Sequence, residues 1–147
     1  KERADVKGLP EGNWAEKISR DFVDLGIYRN KERYEKIQKG IEMHKKIQSG
    51  DLKDIPKKFL KIINPENFIK KEFEKEIVDG EGNIYRTDML IHFKDNLWVV
   101  DFKFGERKKE DIEQIKNYIK LLKEIEKKKV EGFLLYFERE EAIRIND

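Results

Sequence analysis

Apolar residues recur along this chain with two different periods, and the change comes near residue 68. Trp14, Ile18, Phe22 and Leu25 return every three or four positions, which predicts an amphipathic helix stopping near Gly26. Tyr34, Ile37, Ile41 and Ile47 repeat that spacing and predict a second helix over about 31–48, closed by Ser49-Gly50. His44 falls three positions after Ile41, close to the apolar stripe. Residues 51–68 read as a short helical connector, with Pro56 near its start, Phe59, Ile62 and Ile63 as anchors and Pro65 interrupting it. From there the pattern is that of strands. Residues 73–78 and 84–93 flank the turn Asp79-Gly80-Glu81-Gly82-Asn83, and a tight turn at Lys94-Asp95-Asn96 leads into a third strand over 97–104. The unbroken run Leu97-Trp98-Val99-Val100 predicts a central strand buried on both faces. After Gly105, a helix over about 110–128 carries Ile112, Ile115, Ile119, Leu122 and Ile125 on one face. Strands at 132–137 and, at an edge, 142–145 complete the chain. The predicted order, helix, three-stranded meander, helix, strand, makes this an α/β fold. A central mixed sheet is flanked by helices, with extra helices at the N-terminal end.

At 147 residues the chain fits one domain. Residues 1–35 read as an N-terminal helical extension and 36–147 as the core. Charged residues make up 44%, but 33 basic side chains nearly balance 31 acidic ones, leaving a net charge of +2. A purely electrostatic nucleic-acid binder is usually far more basic, so any such face must come from local clustering of Lys and Arg. With no cysteine, disulfides and thiolate-held zinc or iron–sulfur clusters are excluded. No apolar run approaches the ~20 residues of a membrane span, so no membrane association is expected. The chain opens on Lys1, which suggests a piece excised from a larger protein.

The candidate chemistry is concentrated in Asp88 and Asp101-Phe102-Lys103. Alternation along a strand points Asp101 and Lys103 to the same face. Asp101 ends an apolar run, where a carboxylate is costly without a partner, and Lys103 or a divalent cation would serve. Pairing about position 95 places Asp88 opposite residue 102 or so on the neighbouring strand, so both carboxylates can converge. Two hard oxygen donors suit Mg²⁺ or Mn²⁺, and an imidazole would tilt the set toward Mn²⁺. Taken alone, an Asp-x-Lys at a strand end is commonly a surface ion pair worth little.

Four segments give the pair a context. Gly40-Ile41-Glu42-Met43-His44, Arg86-Thr87-Asp88, Val99-Val100-Asp101-Phe102-Lys103-Phe104-Gly105 and Gln114-Ile115-Lys116-Asn117-Tyr118 follow one another in that order. Together they resemble the motifs of the PD-(D/E)xK nuclease superfamily, more narrowly the carboxyl-terminal nuclease domain of RecB- and AddA-type helicase–nucleases of the UvrD/Rep class. The resemblance spans roughly residues 36–137. It implies a restriction-endonuclease-like core in the order αβββαβ. It assigns metal binding to His44, Asp88, Asp101 and the backbone carbonyl of Phe102, catalysis to Lys103, and the lining of the site to Gln114 and Tyr118. Glu76 is a candidate for an acidic position on the first strand. Two departures stand out: Tyr85-Arg86 replaces small residues, and Phe104 stands where Thr or Ser is common.

The activity so implied is hydrolysis of DNA phosphodiester bonds with Mg²⁺ or Mn²⁺, in a nuclease serving break repair and recombination. Single strands would be delivered by helicase domains upstream in the same polypeptide, a second subunit is conceivable, and the expected location is the cytoplasm. No Walker sequence is present, so these residues are not themselves the motor. Lys and Arg at 107–109 are candidates for phosphate contacts. The alternatives are a stand-alone restriction- or repair-type nuclease acting on duplex DNA, and a catalytically silent DNA-binding module of the same fold.

Overall fold

The computed structural model describes residues 31–146. The helix expected over Trp14–Leu25 and most of the N-terminal extension lie outside them. Two helices come first, α1 (Lys31–Ser49) and α2 (Lys57–Ile63). Five strands follow: β1 (Lys70–Phe73), β2 (Glu76–Val78), β3 (Ile84–Arg86), β4 (Met89–His92) and β5 (Asn96–Lys103). Helix α3 (Lys109–Glu126) and strands β6 (Lys129–Tyr136) and β7 (Glu141–Ile145) complete the fold. The main sheet has the order β1-β4-β5-β6-β7, and β2 and β3 form a separate hairpin. All neighbours in the main sheet are antiparallel except β5 and β6, which run parallel around α3. The molecule is thus mixed α/β, built on a five-stranded mixed sheet. Among the described residues no helix is long and apolar enough to cross a membrane.

The two faces of the sheet hold two cores. On one, Met89, Ile91, Val100, Phe102, Phe104, Phe133 and Leu135 pack under Ile37, Ile41 and Ile47 of α1 and Phe59 and Ile63 of α2. On the other, Leu90, Leu97, Val99, Leu134 and Tyr136 pack against Ile115, Ile119 and Leu122 of α3. β5 contributes to both, as its apolar run predicts. Gly40 lets α1 lie close to the sheet, because a methyl group there would meet the Phe104 ring at 3.0 Å.

Three sequence expectations change. The strands expected over 73–78 and 84–93 are each divided. Their outer parts form the β2–β3 hairpin, while the main sheet takes Met89–His92 as β4 and Lys70–Phe73, which begins three residues before the expected strand, as β1. The register is continuous across the division, where Glu74 N–H donates to the Asp88 carbonyl and Thr87 N–H to that of Lys75. Glu74 takes a left-handed conformation there, φ 52°, which breaks the ladder. The α3 stripe is also shifted: Asp111 and Tyr118 join its buried face, while Ile125 is exposed where the last turn runs past the sheet. Finally, the turn between β4 and β5 closes with Phe93 N–H donating to the Asn96 carbonyl, which sets Met89 against Val100. One step beyond, Asp88 lies across from Asp101 rather than from residue 102.

Candidate active site

The end of β5 carries the site. The β4–β5 ladder stops at Met89 and Val100, and the next β4-facing amide of β5, that of Phe102, donates to Asp88 Oδ2 at 2.7 Å. A buried side chain thereby takes the bond that the backbone of a continuing strand would otherwise make. The break at Glu74 turns the chain out of the sheet here and leaves Asp88 at its rim. Asp88 is 1% exposed.

Asp101 and Lys103 share the α3 face of β5, as the alternation predicts. Lys103 Nζ lies 2.9 Å from Asp101 Oδ2 and donates to Gln114 Oε1 at 2.8 Å. A third acid joins them: Asp111 Oδ1 is 3.7 Å from the same ammonium. Both members of the Asp101–Lys103 pair are buried, so it is not the screened surface pair that the bare tripeptide would allow.

Asp111 and Tyr136 have no place in the sequence reading. Asp111 Oδ2 accepts from the Tyr136 hydroxyl at 2.8 Å and from the Lys108 amide at 3.1 Å. Burial first, and then the bond to Asp111, push the Tyr136 phenol well above its usual range, so it remains a donor. An acid in the first turn of a helix reads from sequence as an ordinary capping residue, and a tyrosine in an apolar strand reads as core. The one available signal was that Asp111 shares a helix face with Gln114.

Tyr118 is 4% exposed, and its hydroxyl donates to the Arg86 carbonyl at 3.3 Å. It braces the backbone two residues before Asp88. Its ring also meets Tyr85, with centroids 6.3 Å apart. Arg86 and Glu76 pair with each other across the hairpin at 2.8 Å, so Glu76 sits at the surface, on the hairpin. Of the cations expected to meet phosphate, Arg107 is engaged with Glu141 at 3.2 Å. His92 pairs with Glu72 at 2.7 Å on β1 and β4. Burial would raise the Glu72 carboxyl, but the His92 bond, with Lys75 beside it, leaves it below its usual value.

His44 is placed differently from the acids. It is buried in α1, with its ring edge-on to Phe102 at a centroid distance of 4.8 Å. Phe102 belongs to the α1 core, whereas Asp101 and Lys103 project from the opposite face of β5. The structure therefore brings Asp88, Asp101, Lys103 and Gln114 to one end of β5, while the imidazole approaches that strand from its other side. Among the described residues no three His, Asp or Glu side chains gather closely enough to hold a metal ion.

The donor chemistry still fits a hard cation. Two buried carboxylates, Asp101 and Asp111, flank one buried ammonium, Lys103, and a third, Asp88, accepts from the Phe102 amide between Asp101 and Lys103. Mg²⁺ commonly takes one or two carboxylates and fills its remaining positions with water and substrate phosphate. A comparison of the chain with models of known protein families finds no match, and a comparison with curated proteins finds none.

Proposed function

We propose that this is a divalent-metal-dependent DNA nuclease domain with a PD-(D/E)xK-type site. The observation that carries the reading is the buried Asp101-x-Lys103 pair at the end of a central strand, with Asp88 bonded to the amide between its two members. The element order supports it: a helix, an antiparallel meander that brings in both acids, then a helix and a parallel strand. Asp88 and Asp101 would hold Mg²⁺ or Mn²⁺. Bound there, the ion would supply Lewis-acid stabilisation of the charge developing on phosphorus and lower the pKa of a coordinated water.

The chain's own groups have separate tasks. Lys103 offers a point charge and hydrogen-bond donors to a phosphate oxygen or to the attacking water. Gln114 takes one N–H of that ammonium, and Tyr118 steadies the strand end that carries Asp88. The substrate we favour is single-stranded DNA delivered by helicase domains of a longer polypeptide, in break repair and recombination in the cytoplasm.

The test is cleavage of labelled single-stranded DNA. Asp101→Asn and Lys103→Ala should each lower the rate by about a thousandfold or more, since both act where charge develops. Circular dichroism should show both variants folded. EDTA should stop the reaction, and added Mg²⁺ or Mn²⁺ should restore it. Cleavage that survives chelation, or a fully active Asp101→Asn protein, would end this reading.

One observation favours a second reading, a catalytically silent DNA-binding module of the same fold. The described residues gather no three-ligand metal group. Titration with Mn²⁺ followed by calorimetry separates the two, because a silent module should give no heat that Asp88→Ala or Asp101→Ala abolishes.

A further inference from the structure

We propose that Asp111 is a positioning residue for Lys103: anchored by the Tyr136 hydroxyl and the Lys108 amide, its carboxylate fixes the direction in which the ammonium meets the substrate. The inference deepens the nuclease reading and rests on it for the reaction concerned.

A lysine ammonium has three N–H donors and accepts nothing. Around Lys103, Gln114 Oε1 accepts a hydrogen bond at 2.8 Å and Asp101 Oδ2 makes an ion-pair contact at 2.9 Å. Asp111 Oδ1, at 3.7 Å, acts on the ammonium through charge rather than a direct bond. A group held in this way can turn one N–H to an incoming oxygen while keeping both shorter contacts. Asp111 can steer it only if it is itself immobile, and the structure provides for that. Asp111 is buried, and its other carboxylate oxygen takes two hydrogen bonds. Tyr136, which gives one of them, is the register partner of Lys103 in the parallel β5–β6 pair. The strand pairing that aligns the lysine therefore also aligns the phenol that holds its counter-charge. A helix-starting role accounts for the Lys108 bond alone. It accounts neither for the buried Tyr136 hydroxyl nor for the oxygen turned toward Lys103.

Asp111→Asn tests the idea, because the amide keeps the shape and can still accept from Tyr136 and Lys108. Positioning predicts that kcat on single-stranded DNA falls about tenfold or more, with KM within about twofold and Tm nearly unchanged. Tyr136→Phe, which removes one of the two bonds that hold the carboxylate, should give a smaller loss of the same kind. A second readout does not need cleavage. The Lys103 ammonium should give a sharp ¹H–¹⁵N resonance in the native protein, and Asp111→Asn should broaden it through exchange. Unchanged kcat and an unchanged resonance would overturn the proposal. So would a kcat loss that merely tracks a fall in Tm while the resonance stays sharp. If the native protein cuts no DNA with any divalent metal, the nuclease reading falls, and the resonance still decides whether Asp111 holds the lysine.

Discussion

Gly132 faces α3 from the middle of β6, and the space a methyl group would need is already taken. A Cβ there would come within 2.7 Å of Ile115 Cγ1 and 3.0 Å of Ile119 Cδ1. Ile115 Cγ1 lies near its own backbone and cannot swing away, so Gly132→Ala should cost about 1–3 kcal/mol through overpacking. Combined with Ile115→Ala, which opens that space, the loss should be clearly smaller than the sum of the two single changes. A double-mutant cycle by urea unfolding reads this directly, and strict additivity would show that the contact relaxes freely. At this scale some of the candidate site was legible. Two residues apart on a strand is enough to set Asp101 and Lys103 side by side, and the same alternation sends Phe102 and Phe104 to the opposite core. The third acid was not legible. Nothing local distinguishes an Asp111 that caps a helix from one that also faces a lysine eight positions back, because the difference is made by Tyr136 from a distant strand. His44 lies close to the apolar stripe of its helix and is buried, but parity alone could not say which face of β5 that helix covers.

Helix α3 ends on Lys127, which holds the left-handed conformation at φ 56° while its amide bonds to the Lys123 carbonyl. A residue with a Cβ pays a steric penalty there that glycine escapes. Lys127→Gly should therefore stabilise the protein by about 1 kcal/mol. Thermal and urea unfolding should agree on the sign, and a destabilised variant would mean that the side chain has a contact of its own. Glu74 shows the same backbone conformation in a different setting, since its carboxylate also accepts from Gln48 Nε2 at 3.1 Å. Here the element-level reading of the sequence fell short. Two long strands around a Gly-rich turn look uninterrupted as a pattern of alternation. The division at residues 74 and 75 comes from a backbone torsion on a glutamate, which no turn residue announces. The meander itself, the central place of β5 and the parallel return through α3 follow from the apolar runs and their turns.

Across the whole molecule, β5 is where two kinds of pairing meet. It joins β4 through a short turn, and it joins β6 only after the chain has gone out along α3 and back. Closing a short turn costs less chain entropy than closing a long crossover, and contacts between distant residues form later. Pulse-labelled hydrogen exchange during refolding should find the amides of β4 protected before those of β6 and β7. The reverse order would show that the parallel pair nucleates the sheet. Such a timetable bears on the cluster at the end of β5. Asp88 and Asp101 come to lie opposite each other early, with their hairpin, whereas Tyr136 arrives with the last stretch of polypeptide. A chain truncated before β6 would carry both acids and the lysine, yet it would lack the phenol that anchors the third carboxylate.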